Sequence, residues 1–261
     1  MASAFDGLTR LKGVAADGIE RPIAVVDGVV HSVKDLREPI TGEGAWVGGV
    51  NHKTFPHLCR FLRVEHLVFY EMRVPDLEPL LQLPDLRELK IEWNTKVTDI
   101  APLAELRGLR VLELMDVPKV RDLSPVSELR DLVAFSFAGG IWNKNRAATL
   151  EPLAALPRLE ELVLNSLKVE SDGLRPLARC RALKRLELSN QFETADYAYL
   201  SVHLPDTECT MFAPWVDVGK SDLGDVMVVG KRKPFLNSET DGARIKKYER
   251  AFAKLQDKFR S

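Results

Sequence analysis

Histidines and cysteines are the side chains in this sequence most able to bind a metal or to transfer protons. The five histidines are His31, His52, His57, His66 and His203, and the three cysteines are Cys59, Cys180 and Cys209. No two histidines have the HExxH spacing that places two imidazoles on one helix face, and no two cysteines form a CxxC pair. His52, His57 and Cys59 are close in sequence but match no zinc-site spacing. We therefore expect no metal and no cofactor.

Motifs for nucleophilic, phosphate or dinucleotide chemistry are absent from the sequence: it has no GxSxG, no P-loop and no GxGxxG. The adjacent acids Glu160 and Glu161 fall in a predicted strand, where successive side chains point to opposite faces and cannot act on one substrate. These observations predict a non-enzymatic protein. The alternative is an enzyme whose chemistry lies in one of the regions that flank the repeats described below, although neither contains a nucleophile–base signature.

Composition and charge limit the class of partner. Hydrophobic residues make up 45% and charged residues 29% of the chain, as in globular proteins. The net charge of −1 divides into +5 over residues 219–261 and −6 over the rest. Because no broad basic face and no long apolar run is present, we expect no nucleic-acid partner and no membrane partner. The sparse cysteines and the lack of an apolar leader favour a reducing, cytoplasmic location.

A repeated pattern, L-x-x-L-x-x-L-x-L, determines the fold prediction. Its third apolar position recurs at residues 67, 89, 112, 135, 162, 186 and 210, with spacings of 22, 23, 23, 27, 24 and 24. The last part of each copy alternates with period two, which predicts a short strand with its leucines directed inward. We expect adjacent parallel strands at 66–70, 88–92, 111–115, 134–138, 161–165 and 185–189.

The second half of each repeat carries apolar residues at spacings of three together with a recurrent proline. The prolines are at positions 79, 102, 125, 152 and 176. Proline is tolerated in the first turn of a helix, where its missing N–H would be unpaired anyway. A short 3₁₀-like turn on the outer, convex side fits both features, and stacking of the units buries their apolar edges in a curved α/β solenoid.

These repeats resemble the leucine-rich-repeat family. The segments VTDIAPLAELRGLRVLEL and VRDLSPVSELRDLVAFSF are similar to the short internalin-type bacterial repeat, and the resemblance covers residues 58–213. It implies a right-handed solenoid. The family places an asparagine three residues after the second strand leucine, whereas this chain has it only as Asn94. The other five positions are Met72, Val117, Gly140, Leu167 and Gln191. We therefore expect less regular turns.

Two flanking regions are expected to cap the solenoid. Residues 1–57 form an N-terminal cap or small accessory region, with a β-hairpin at 22–32 around Asp27-Gly28 and an extended piece at 45–50. Residues 214–261 form a C-terminal cap, with a strand at 225–230 and a basic amphipathic helix at 239–259. We expect Tyr248, Phe252 and Leu255 on this helix to dock on the body. A dimerisation helix or a membrane-surface helix is the alternative.

The concave face of the solenoid is the candidate binding surface. Its non-leucine strand positions include five glutamates and several apolar side chains, a mixture that suits a protein partner, possibly a basic one. An insertion at 139–149 adds Trp142, either as an interface residue or folded back on its neighbours. The candidate partner-binding residues are Tyr70, Lys90, Glu92, Trp93, Glu113, Met115, Asp116, Trp142, Glu161, Asn165 and Glu187. A solvated face without a ligand, or an immunity- or antitoxin-type inhibitor of a basic protein, remains open, and so does the oligomeric state.

Overall fold

The computed structural model describes residues 3–11, 13 and 21–260; residues 14–20 of the predicted N-terminal region lie outside them. In chain order the strands are β1 (Ile23–Val26), β2 (Val29–Ser32), β3 (Ile40–Thr41), β4 (Gly44–Gly48), β5 (Leu62–Arg63), β6 (His66–Tyr70), β7 (Glu88–Glu92), β8 (Val111–Met115), β9 (Ala134–Ala138), β10 (Asn145–Ala147), β11 (Glu161–Leu164), β12 (Leu167–Val169), β13 (Arg185–Leu188), β14 (Trp215–Asp217), β15 (Val226–Val228) and β16 (Phe235–Leu236). The helices are α1 (Asp6–Arg10), α2 (Phe55–Phe61), α3 (Thr194–His203) and α4 (Gly242–Arg260).

One sheet of nine strands forms the inner face of the solenoid. Its spatial order is β13-β11-β9-β8-β7-β6-β4-β1-β2, and the strands from β4 to β13 are parallel. The six predicted strands are neighbours in chain order, which confirms that prediction, although β11 and β13 each end one residue early. The sheet also continues through residues 23–48, where β1 and β2 form a hairpin. Its turn residues Asp27 and Gly28 both have positive φ, as a two-residue type I′ turn requires.

The predicted inward leucines form a continuous core. Leu89, Leu112, Phe135, Leu162 and Leu186 are each at most 2% exposed. Strand register places each of them opposite the next. This confirms the stacked interior that the alternation of apolar residues predicts.

Short 3₁₀ helices form the convex side, and the recurrent prolines lie in the first turn of five of them. Their bounds are Glu78–Gln82, Ala101–Glu105, Ser124–Glu128, Glu151–Ala155 and Arg175–Arg179; a sixth is Val33–Asp35. In three repeats an aspartate carboxylate accepts a hydrogen bond from the backbone N–H two residues later and so caps the turn. These carboxylates belong to Asp76, Asp99 and Asp122, with N···O distances of 2.8–2.9 Å.

The turns after the strands contain two asparagines where sequence reasoning placed one. Asn94 is fully buried, donates to the Val74 carbonyl at 2.9 Å and accepts from the backbone N–H of Val97. Asn145 is equally buried, donates to the Ala138 carbonyl and accepts from the N–H of Val117. The assignment of Gly140 to this position was wrong, because the insertion moves the equivalent residue to 145.

The C-terminal helix α4 docks on the body, as predicted. It packs against α3 and β14, and Phe252 is 3% exposed in the main core. Tyr248 is half-buried against the small sheet of β14, β15 and β16, and Leu255 is half-buried against the main core. Tyr248 and Leu255 therefore cover the body without becoming fully buried.

Candidate functional site

The concave face of the main sheet presents three rows of side chains that run across the strands. The first row, at the start of each strand, is Gly44, His66, Glu88, Val111, Ala134, Glu161 and Arg185. The middle row is Trp46, Val68, Lys90, Glu113, Ser136, Val163 and Glu187. The last row is Gly48, Tyr70, Glu92, Met115 and Ala138, followed by Asn165 and Ser189 just beyond β11 and β13.

A charged cluster occupies the centre of this face. Lys90 Nζ lies 3.2 Å from a Glu92 carboxylate oxygen and 3.3 Å from one of Glu113. Burial raises the pKa of Glu113 above its ordinary value, and the ammonium group of Lys90 opposes that shift. Although burial lowers the pKa of Lys90, the two carboxylates together hold it above its ordinary value. Lys90 therefore balances one of the two carboxylate charges, and the three side chains are largely buried.

The other concave glutamates also lie beside polar or charged groups of the same chain. Glu88 lies 3.1 Å from the His66 imidazole Nδ1. Glu161 accepts hydrogen bonds from the Ser3 hydroxyl and the Ala4 backbone N–H, and Arg185 lies 3.6 Å away. The exposed Glu187 accepts a hydrogen bond from the Asn165 side-chain amide. Local polar contacts therefore offset most of the repulsion that these charges would otherwise exert.

The N-terminal segment, residues 3–11, lies across the first row. Its helix α1 packs on β6 and β7. Leu8 is 2% exposed and joins a buried cluster with Val25, Trp46, Val68 and Val111. Sequence reasoning missed this contact. The available signal was the spacing of Phe5, Leu8 and Leu11, which places three apolar side chains on one side of a short helix.

The residues that follow the strands form the opposite edge of the face, here called the rim. The rim comprises Glu71, Trp93, Asp116 and the loop at 139–144. Glu71, Trp93 and Asp116 have positive φ values of 56°, 60° and 49°, which is uncommon for residues with side chains. Their N–H groups still bond to the neighbouring strand, as from Trp93 to the Met115 carbonyl at 3.0 Å. The left-handed backbone thus turns these side chains outward without interrupting the ladder.

Aromatic side chains connect the sheet to this rim. The Tyr70 ring stacks on Trp46 with centroids 5.9 Å apart and meets Trp93 edge-on at 6.0 Å. Trp93 remains 46% exposed. Because adjacent strands lie about 4.8 Å apart, Trp93, which directly follows β7, is roughly 10 Å from the loop that leaves β9. Both belong to one continuous edge of the sheet.

The inserted loop projects its two largest apolar side chains into solvent. Ile141 is 94% exposed and Trp142 91% exposed, so the alternative in which Trp142 folds back on its neighbours is wrong. The base of the loop is held by buried Asn145. A side chain at Gly140 would collide with the Asp116 carboxylate, whose Cγ lies 2.6 Å from the position a Cβ would take. The loop is therefore anchored at its base and open at its tip.

The structure divides the eleven candidate residues into three groups. Tyr70, Glu92, Trp93, Met115, Asp116, Trp142 and Asn165 share the last row and the rim. Lys90 and Glu113 form the central charged cluster with Glu92, and Glu187 lies in the middle row on the last strand. Glu161 lies at the opposite edge under the N-terminal segment.

The described residues contain no group of three or more histidine, cysteine or acidic side chains placed to hold a metal ion. The His57 ring nitrogen Nε2 lies 3.1 Å from the Leu36 carbonyl oxygen, and the Cys59 thiol is buried, which raises its pKa. None of the helices within 3–11 and 21–260 combines the length and apolar character needed to cross a membrane.

Comparison with known proteins gives structural neighbours alone. No family model and no curated protein matches the chain. An internalin from Listeria monocytogenes is 22% identical with a TM-score of 0.48, covering 60% of this chain and 48% of its own. Internalin C2 from the same species is 20% identical with a TM-score of 0.49, covering 64% of this chain and 70% of its own. A leucine-rich-repeat protein from Leptospira interrogans is 16% identical with a TM-score of 0.38, covering 60% and 50%.

The chain thus spans about half the length of two of these neighbours. All three TM-scores are below 0.5, so the fold assignment rests on the geometry of the chain itself. That geometry comprises parallel strands in repeat register, proline-containing 3₁₀ turns and buried turn asparagines. Together these features identify the fold as a leucine-rich-repeat solenoid.

Proposed function

We propose that this chain is a protein-binding module whose partner contacts the rim and the last row of the concave face. The observation that carries the proposal is the exposure of Ile141 and Trp142 on a loop anchored at its base. Exposed large apolar side chains are unfavourable in water unless another surface covers them, and tryptophan and tyrosine dominate the energetics of protein interfaces. Trp93 and Tyr70 extend the same surface along two neighbouring strands.

The polar groups of this edge suggest what the partner presents. Asp116 Oδ1 is buried and accepts no hydrogen bond within the described part of the chain. Glu92 lies one strand away, in the last row. A lysine or arginine of the partner would be attracted to the half-buried Asp116 and Glu92 side chains while its aliphatic stem packs on Trp93 or Met115. We therefore include a basic group of the partner in the proposal. The negative charge that attracts it is confined to the rim and the last row.

The inhibitor alternative depends on an acidic concave face that would cover a basic protein surface. Glu92 and Glu113 share Lys90, and Glu161 is bonded to the N-terminal segment. Because these carboxylates have internal partners, they do not support a broad acidic surface for a basic toxin. The rim supports a smaller, mainly apolar contact.

We propose a reducing, cytoplasmic location because the cysteines form no disulfide bond among the described residues. Cys59, Cys180 and Cys209 are all free, and Cys59 and Cys180 are buried. Free buried thiols are typical of proteins that do not meet an oxidising compartment.

Affinity capture with matched variants tests the binding proposal. Immobilised wild-type protein, a Trp93→Ala/Trp142→Ala variant and a Leu81→Ala/Leu223→Ala control are incubated with an extract of the source organism. The control removes two exposed apolar side chains that lie away from the concave face, with exposures of 43% and 70%. We expect a protein retained by the wild type and the control to be lost from the tryptophan variant. Equal retention by all three proteins would place the interface elsewhere.

A further inference from the structure

The N-terminal segment defines a second binding surface, separate from the rim. Ser3 and Ala4 direct a hydroxyl and a backbone N–H at the same Glu161 carboxylate, with donor–acceptor distances of 2.9 and 3.1 Å. Four residues after Ala4, the Leu8 side chain fills an apolar site on the sheet formed with Val68 and Val111. These are the contacts by which a groove recognises a short peptide: donors at one end and one apolar anchor at the other.

The segment fills its groove incompletely. A cleft of about 640 Å³ opens on one side of Ala4, lined among others by His66, Arg87 and Arg110. A second cleft of about 540 Å³ opens beside Ser3 and Ala4, next to Glu161 and Arg185. The groove is therefore larger than the segment that occupies it.

The segment is held mainly by Leu8, and Ala4, Phe5 and Leu11 are half-buried beside the same cluster. Helix α1 has five residues, which is far shorter than a helix that is stable in isolation. Leu8 is its one fully buried side chain, and Thr9 and Arg10 are exposed. Segments with so few buried contacts open locally at low free-energy cost. Its presence on the groove depends on being part of the same chain, which supplies it at a high effective concentration.

We propose that the first row is a peptide-binding groove and that residues 3–11 are its built-in, displaceable occupant. The external ligand is a short segment of another protein with the same chemistry: a small hydroxyl residue and a free backbone N–H for Glu161, then a leucine four to five residues later for the Val68–Val111 site. The intramolecular segment competes with this ligand and lowers its apparent affinity, because only the open fraction of molecules can bind.

Binding of a labelled synthetic peptide to the full-length chain tests the proposal. The probe is SAFDGLTRL, residues 3–11, measured by fluorescence anisotropy. Leu8→Ala removes the apolar anchor of the intramolecular copy. Gly7→Leu perturbs the segment at a second point, since a side chain at this position meets the Glu88 carboxylate, which must move aside. Arg10→Ala is the control, because Arg10 is exposed. Leu8→Ala and Gly7→Leu both lie in the segment and leave the solenoid core unchanged.

We expect Leu8→Ala and Gly7→Leu to bind the peptide at least about tenfold more tightly than the wild type and Arg10→Ala, as expected when an intramolecular competitor is removed. A peptide carrying aspartate in place of the leucine that corresponds to Leu8 should bind none of the four proteins. Hydrogen exchange of the amides of residues 5–11 reports whether the segment is released.

Three results would overturn the proposal. Released segments without tighter peptide binding would show that residues 3–11 are only a packing element. Amides that stay protected in both variants would show that the segment is not displaceable. Equal binding to all four proteins would place the peptide outside the groove. Trp93→Ala/Trp142→Ala should leave peptide binding unchanged, so failure of the rim proposal and failure of this one are distinguishable.

Discussion

The two edges of the concave face are built from the same strands, but one edge is covered by the chain and the other is exposed to solvent. At the first row, Glu88 and Glu161 have partners inside the chain, and Leu8 covers the apolar side chains beneath it. At the rim, Trp93, Ile141 and Trp142 face solvent. The repeats supply the same strands to both edges. The difference therefore comes from two non-repeating parts, the N-terminal segment on one side and the inserted loop on the other. Exposed apolar surface thus remains at the edge that neither residues 3–11 nor residues 21–260 cover.

The largest expected effect comes from the core that both edges share. Leu112→Ala should lower the free energy of unfolding by about 2–5 kcal/mol, the usual range for truncating a fully buried leucine. Chemical denaturation followed by circular dichroism measures the loss. If the loss were below ~0.5 kcal/mol, the range of an ordinary surface substitution, the stacked interior would be wrong at its centre.

The second largest loss of stability is expected when the anchor at the base of the rim loop is removed. Asn145→Ala leaves the Val117 N–H and the Ala138 carbonyl without their buried partner. We expect a loss of about 1–3 kcal/mol, the cost of unsatisfied buried polar groups. Faster amide exchange at residues 139–144 should accompany the loss. Asn94→Ala is the matched control, because it should destabilise similarly while leaving exchange in that loop unchanged.

Leu8→Ala and Trp142→Ala compare the stability contributions of the covered edge and the open edge. Leu8→Ala should cost about 1–2 kcal/mol, somewhat less than full burial of a leucine is worth, since the segment can relax. Trp142→Ala should stay within about 0.5 kcal/mol of the wild type, because its side chain is 91% exposed. Thermal and urea denaturation of both variants measures the difference. A larger loss for Trp142→Ala than for Leu8→Ala would reverse the comparison.

The smallest effect concerns the charged cluster between the edges. Because burial raises the folded-state pKa of Glu113 above its ordinary value of about 4.5, the folded chain holds this proton more tightly than the unfolded chain. The wild type should therefore lose stability relative to Glu113→Gln as the pH rises from about 4.5 through that higher folded-state pKa, with no further change above it. Denaturation at a series of pH values measures this difference. A wild type that gains stability relative to the variant over that window would mean that the attraction to Lys90 outweighs burial.

Sequence periodicity predicted the strands and the core because alternation and the repeat length are properties of neighbouring residues. The proline-containing turns followed from the same logic. Asn145 was missed because the insertion shifts it out of the repeat spacing, although its buried hydrogen bonds match those of Asn94. Its role depends on a backbone path that a fixed spacing does not describe.

The site was predicted less completely than the fold. The alternation of residues along a strand identifies which side chains share the concave face, but it does not show that Lys90 pairs with both Glu92 and Glu113. Nor does it place residues 3–11 on the first row, because that contact joins Ser3 to Glu161 across 158 positions. The exposure of Trp142 depends on the conformation of the loop. The sequence was equally consistent with an exposed interface residue and with a side chain folded back on its neighbours.

Hydroxyl-radical footprinting of the full-length protein tests the two-edge account most directly, since three tryptophans in one chain report on both edges. Trp46 lies beneath the N-terminal segment at 9% exposure, against 46% for Trp93 and 91% for Trp142. The account predicts that oxidation rates rise in the order Trp46, Trp93, Trp142, and that Leu8→Ala raises the rate at Trp46 alone. Oxidation of Trp46 as fast as Trp93 in the wild type, or of Trp142 as slow as Trp46, would contradict it.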